Sequence, residues 1–192
     1  MSNLPFSEVM KTADLLVERP VIDQAIARMA GEIAKDHAVD EDGGGQADSP
    51  VFLTVMHGAL PFAGQLSLEL GACGLDLQFD YLHATRYRGQ IRGSDLIWKH
   101  RPATPLAGRR VLLIDDILDE GHTLREVRQW CLEQGAVDAR IAALVVKQHD
   151  RCCPGLKADY VGVTVPDRYV FGFGMDYHEQ GRNLPHIYAL GE

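Results

Sequence analysis

The run VLLIDDILDEGHTL (Val111–Leu124) concentrates the groups that could do chemistry in this chain. Two adjacent carboxylates, Asp115 and Asp116, close a short apolar segment. Like charges at a buried strand end are costly when unpartnered, and they suit a sugar diol or a divalent cation. The residues that follow, Ile117 to Thr123, read as a loop that ends in a helix start. Such a loop offers unpaired backbone N–H groups and the positive end of a helix dipole. Gly121 permits a close approach or a positive φ, and Thr123 adds a hydroxyl donor. The unit reads as a phosphate cradle with two carboxylates beside it. Asp119 opens the cradle, either as a helix cap or as a base reaching toward a substrate. Lys147 ends another apolar strand, IAALVVK, and faces the same rim as Asp115.

These groups need a scaffold, and the apolar pattern supplies one. VFLTVM (Val51–Met56) reads as a strand, followed by a helix over Pro61–Leu70 with Pro61 in its first turn. LDLQFDYLHA (Leu75–Ala84), Val111–Asp115, Ile141–Lys147 and Asp159–Val165 read as further strands, with Asp95–Lys99 as a return strand. A helix is expected from about Gly121 to Gln134. Strands alternating with helices imply an α/β fold with a mainly parallel sheet flanked by helices, and ligands in such sheets bind beyond the carboxyl ends of the strands. Ahead of this core, Glu8–Val17 and Val21–Ala38 carry apolar residues that read as two helices, and Val39–Pro50 is an acidic, Gly-rich loop. Thr85–Ser94 is a basic, Gly-punctuated loop, expected to close over the site with Gly89 and Gly93 as hinges. The tail Pro166–Leu190 lacks helical period and is rich in aromatics and glycine, so it reads as a small C-terminal hood. The expected division is one domain over 1–192: N-terminal helices and loop to 50, core over 51–165, hood over 166–192.

A chain of 192 residues with 46% hydrophobic and 24% charged residues can bury a core. Its formal net charge of −8 argues against broad nucleic-acid or anionic-membrane binding, while a small anion can still be held by focused N–H groups and arginines. The four cysteines follow no disulfide framework, and the N-terminus has neither a basic n-region nor an apolar h-region. The expectation is a cytoplasmic protein with reduced thiols.

The Val111–Leu124 segment resembles the phosphoribosyl pyrophosphate motif of type I phosphoribosyltransferases. Within them the chain is similar to hypoxanthine-guanine phosphoribosyltransferases from about Val51 to Leu190. TVMHGALPFAGQL (Thr54–Leu66) resembles the family's pyrophosphate loop, VVKQHD (Val145–Asp150) its purine-contacting strand end, and PDRYVFGFGMDYHEQGRNLP (Pro166–Pro185) its hood. The resemblance implies the type I phosphoribosyltransferase fold and transfer of ribose 5-phosphate from phosphoribosyl pyrophosphate to hypoxanthine or guanine, a purine-salvage reaction using Mg²⁺. It implies the ribose hydroxyls and Mg²⁺ on Asp115 and Asp116, with Asp176 as a further Mg²⁺ contact. The 5′-phosphate falls on Asp119, Glu120, Gly121, His122 and Thr123, with Asp119 the catalytic acid or base near purine N7. Lys147 meets the 6-oxo oxygen, Tyr169 stacks on the purine, and Val170 offers backbone groups to its edge. His57, Gly58, Arg182 and Arg168 surround pyrophosphate. The chain departs from its relatives at His57, where many carry Lys or Arg, and at Glu120, where Ser or Thr is more usual.

Two other readings stay open on sequence grounds: a xanthine or pyrimidine phosphoribosyltransferase, and an RNA-binding regulator of the same fold. The second needs a basic face, and Arg86, Arg88 and Arg92 are a small one on an acidic chain. The expected partners are phosphoribosyl pyrophosphate and a 6-oxopurine, with no nucleic acid and no membrane, in a homo-oligomer of two or four copies as in relatives.

Overall fold

The computed structural model describes residues 4–37, 49–86 and 96–191. Helix α1 (Phe6–Thr12) leads into strand β1 (Asp14–Val17) and helix α2 (Arg19–Asp36). Strand β2 (Val51–Val55), helix α3 (Leu60–Ala72), and strands β3 (Gln78–Arg86), β4 (Leu96–His100) and β5 (Arg110–Leu118) follow. Helix α4 (His122–Glu133), strands β6 (Asp138–Gln148) and β7 (Tyr160–Pro166), and the short β8 (Val170–Phe171) and β9 (Ile187–Ala189) complete the order.

The six central strands lie in the order β4-β3-β2-β5-β6-β7. β3, β2, β5, β6 and β7 are parallel, and β4 runs antiparallel at one edge, as the return strand was expected to. Alternation along each strand decides which helices cover which face. Phe52, Leu112, Ile114 and Leu144 point to one side and pack with Ile22, Ile26, Met29 and Ile33 of α2 and Phe62, Leu66 and Leu70 of α3. Their sequence neighbours Val51, Leu53, Val111 and Leu113 point to the other and pack with Leu124, Val127 and Cys131 of α4. Both layers are buried, and the sheet is held from both sides.

Two expectations need correction. The helix expected over Glu8–Val17 ends at Thr12; Ala13 is extended, with ψ 136°, and Asp14–Val17 is a strand. The reason is a remote partner: β1 pairs antiparallel with β9, Asp14 opposite Ala189. With β8 they form a three-stranded sheet, so the N-terminal segment is built into the hood. The second correction concerns β5, which does not stop at Asp115. It continues to Leu118 because β6 keeps pairing with it, Ile117 opposite Val145 and Leu118 opposite Val146. On the other side, pairing with β2 ends at Ile114. The carboxylate pair therefore sits where one neighbour has ended and the other continues.

The expected closing loop begins inside β3, and its remainder lies outside the described residues, as does most of the acidic loop Val39–Pro50. All four cysteines are free. Among the described residues no helix is long and apolar enough to cross a membrane.

Candidate active site

A cavity of about 410 Å³ opens at the carboxyl rim of β5, lined by Asp115, Asp116, Ile117 and the loop from Asp119 to Leu124. Its floor is acidic. Burial, reinforced by the Asp116 charge, pushes the Asp115 carboxyl well above the ordinary carboxylate range. Burial also raises Asp116, against the hydrogen bond from Asp115 and the nearby Arg182 charge. An acid pair with Asp116 buried and Asp115 half-buried, short of counter-charge and with hard oxygen donors, fits a Mg²⁺-type ion or a hydroxyl-rich ligand.

The loop after β2 crosses directly over this pair. Gly58 lies so close that a Cβ there would overlap the Asp116 carboxylate. Gly174 of the hood, at φ +106°, packs in turn on the Gly58 carbonyl with no room for a side chain. Glycine is required at both positions by backbone approach. His57 follows Met56 through a cis peptide and places its ring against His83, 4.6 Å between centroids.

The loop expected to cradle phosphate leads from β5 directly into α4. Gly121 caps α4 with φ +78°, a conformation that glycine adopts without strain. No side chain caps the helix, so its first N–H groups face the cavity free. Asp119 is therefore not an N-cap. The loop is braced from below: the Cys153 N–H donates to the Glu120 carbonyl at 2.8 Å, and His122 Nδ1 meets Cys153 Sγ at 3.1 Å. His122 Nε2 lies 3.5 Å from Glu120. Gly121 packs on Leu118 and Leu156.

Asp119 is gripped by two donors from β6 and the residue just past it. Lys147 Nζ donates to one carboxylate oxygen at 2.7 Å, and His149 Nε2 meets the other at 2.6 Å. Burial pushes the Asp119 carboxyl up, but these hydrogen bonds outweigh it and hold the group below its ordinary value. The ligating atoms of Asp119, His149 and Asp167 lie within 4.8 Å of one another. Lys147 already neutralises Asp119, and Arg151 clamps Asp167 through two bonds of 2.7 and 2.8 Å, so cations of the protein fill that cluster.

The hood contributes Asp176 and Arg182, an ion pair at 2.6 Å. Arg182 also donates to the Gly174 carbonyl at 2.8 Å, which ties the guanidinium to the glycine that touches the Gly58 loop. Asp176 accepts the Glu179 N–H at 2.8 Å, so both its oxygens have partners. Tyr169 is 46% exposed, its hydroxyl donating to the Asp176 carbonyl. Val170 is buried and pairs with Ala189 in the hood sheet.

Most sequence-derived candidates thus gather around one rim: Asp115, Asp116, Asp119 to Thr123, Lys147, Gly58 and Arg182. Arg168 does not join them. Its guanidinium bonds Asp14 and the Leu190 carbonyl, lacing β1 to the chain end. Sequence reading missed His149 as an Asp119 partner. The signal was present, since Lys147 and His149 are two apart in extended chain and face the same way.

Comparison with known proteins agrees with this geometry. The phosphoribosyl transferase domain model matches residues 14–180. The hypoxanthine-guanine phosphoribosyltransferase of Streptococcus pneumoniae strain R6 is 30% identical over 93% of both chains. That of Lactococcus lactis subsp. lactis is 28% identical over 94% of both. In fold, the chain is similar to a hypoxanthine phosphoribosyltransferase of Trypanosoma cruzi, at TM-score 0.83 and 24% identity over 94% of this chain and 96% of that one. It is likewise similar to one from Staphylococcus aureus, at TM-score 0.82 and 24% identity over 94% and 93%. Cradle, carboxylate pair, hood and these likenesses converge: the chain belongs to the phosphoribosyltransferase family, with the hypoxanthine-guanine phosphoribosyltransferases of purine salvage.

Proposed function

We propose that this single-domain enzyme transfers the 5-phosphoribosyl group from phosphoribosyl pyrophosphate to N9 of hypoxanthine or guanine, with Asp119 and Lys147 as the pair that reads and deprotonates the base. The observation that carries it is their mutual bond at 2.7 Å, on the rim shared with the acid pair and the cradle. The donor-only ammonium of Lys147 suits a 6-oxo oxygen, and the adjacent carboxylate suits an N7 proton. As the N9 lone pair bonds the anomeric carbon, the bond to pyrophosphate breaks toward pyrophosphate, and the N7 proton passes to Asp119.

The free N–H groups of Glu120 to Thr123 hold the 5′-phosphate, and Asp115 and Asp116 hold the ribose hydroxyls. Asp115 and Asp116, with Asp176 as a third oxygen donor, are the residues that would hold Mg²⁺, which when bound neutralises charge on the departing pyrophosphate. Arg182 and the backbone at His57–Gly58 complete that subsite, the guanidinium offering two donors to phosphate oxygens. Tyr169 covers the purine plane, and the hood limits access of water, the competing nucleophile. The cysteine spacing, which follows no disulfide framework, supports a cytoplasmic setting, and the family supports a homo-oligomer of two or four copies.

The test is a panel of hypoxanthine, guanine, xanthine, adenine and uracil with phosphoribosyl pyrophosphate and Mg²⁺. Hypoxanthine or guanine should lead. Adenine used as well as hypoxanthine would sink the Lys147 reading, because a site built to bond one group rejects its mismatch by up to about 10⁴-fold.

A further inference from the structure

We propose that His149 is the positioning residue for Asp119, the fixed anchor that keeps this carboxylate aimed at the base while Lys147 moves. The inference rests on Asp119 being the base of the reaction above. Three observations carry it. His149 is buried, its side chain only 4% exposed, so its ring has one place to be. Its Nδ1 faces the Arg151 backbone N–H at 3.1 Å, and an N–H can only donate, so Nδ1 is the acceptor. The ring proton therefore sits on Nε2 and points at Asp119 Oδ1, 2.6 Å away. Arg151 is itself clamped by two bonds to Asp167, so the support extends to the end of β7. Carboxylate, ring, backbone amide and ion pair form a continuous brace, the arrangement in which a base is oriented by a further group.

Lys147 holds the other oxygen, but it cannot be a permanent partner. Its ammonium is on a flexible four-carbon stem, and in the proposed reaction it also donates to the purine carbonyl. When it turns toward that carbonyl, Asp119 keeps a single protein donor unless the substrate supplies another. That donor is His149. The division of labour leaves the Oδ2 side of Asp119 for the substrate and fixes the Oδ1 side. The charged and titratable groups around the carboxylate are Lys147 and His149 from the β6 segment, Glu120 on its own loop, Arg151 and Asp167 behind the ring, and the Cys152 thiol from the loop after β6. Removing the Nε2 donor withdraws stabilisation from the ionised carboxylate, so its proton affinity rises.

The experiment compares H149L, H149Q and D119N with the native enzyme in steady-state kinetics across pH, with melting temperature measured for each. Leucine keeps the apolar bulk and loses the donor; glutamine restores an N–H near the position of Nε2. H149L should lower kcat about tenfold, the order of one lost hydrogen bond to a charged group. It should move the acidic limb of kcat/KM to higher pH and leave KM for phosphoribosyl pyrophosphate unchanged. H149Q should recover most of kcat and return the limb. H149L with native kcat and a native acidic limb overturns the proposal, as does equal loss in H149L and H149Q that tracks their melting temperatures. If H149L does not fold, H149N takes its place, since its shorter amide does not reach Asp119. D119N keeps the two failures apart: a silent D119N removes the base assignment itself, whereas an impaired D119N beside a native-like H149L removes the positioning role alone.

Discussion

At the scale of single residues the site is a set of groups each held by a partner that explains its state. Lys147 is 13% exposed and bonded to Asp119. Lys147→Met keeps the stem and removes the ammonium. It should lower kcat/KM for hypoxanthine about 10²-fold, the loss expected when a carbonyl-reading charged donor disappears. Affinity for phosphoribosyl pyrophosphate, measured by calorimetry, should stay native. A matching loss in that affinity would mean that Lys147 serves the phosphate side. Gly58→Ala makes the opposite forecast. The added methyl overlaps the Asp116 carboxylate, so the loop must retreat, and KM for phosphoribosyl pyrophosphate should rise at least tenfold while the melting temperature changes little. Asp115, Asp116, Asp119, Gly121 and Thr123 were legible in the sequence because they are contiguous and their strand-loop-helix frame is local. The contact of Gly58 with Asp116, and of Gly174 with Gly58, was not, because tertiary placement alone creates it.

At the scale of elements, the hood is where sequence reading stopped short. Pro166–Leu190 was recognisable as a cover, yet its sheet borrows β1 from the far end of the chain. Asp14–Val17 is too short to show a strand period, and its neighbours suggest a helix. Its pairing with β9 decides the matter against local pattern. The Arg168 side chain secures this seam by bonding both Asp14 and the Leu190 carbonyl. Arg168→Ala should loosen the hood: amide exchange in β8 and β9 should quicken, and the melting temperature should fall by about 2–4 °C, the shift for each kcal/mol in a domain of this size. KM for phosphoribosyl pyrophosphate should change little. The pyrophosphate role that the family resemblance gives Arg168 forecasts the reverse, a raised KM with native exchange, so one variant separates the two.

At the scale of the whole molecule, the parallel core was readable because both sheet faces are buried, and continuous apolar runs such as Val51–Val55 have no other use. That same core sets Asp115 and Asp116 at the end of β5, with β6 still paired beside them after β2 has ended, so the fold carries a cost at its own candidate site. In the metal-free, ligand-free protein the pair binds protons more readily than it does in the unfolded chain, because burial and mutual repulsion disfavour its charge. The sign follows from linkage. A carboxyl raised in the folded state adds stability at low pH, and that stability is lost as pH rises from the unfolded value of about 3.9 through the raised one. At neutral pH the unliganded enzyme is therefore destabilised by its own site. Asp115→Asn removes one of the two charges at nearly constant shape. It should raise the melting temperature of the unliganded protein at pH 7 by about 2–4 °C for each kcal/mol relieved, with a smaller gain at pH 5. Mg²⁺ with phosphoribosyl pyrophosphate should stabilise the native enzyme strongly, because ligand that binds only the folded state adds stability by mass action, and should stabilise Asp115→Asn far less. A variant that melts lower than the native enzyme, or gains as much from the ligands, would show that the acid pair is structurally satisfied without them. Scanning calorimetry at the two pH values, with and without ligand, reads all four cases.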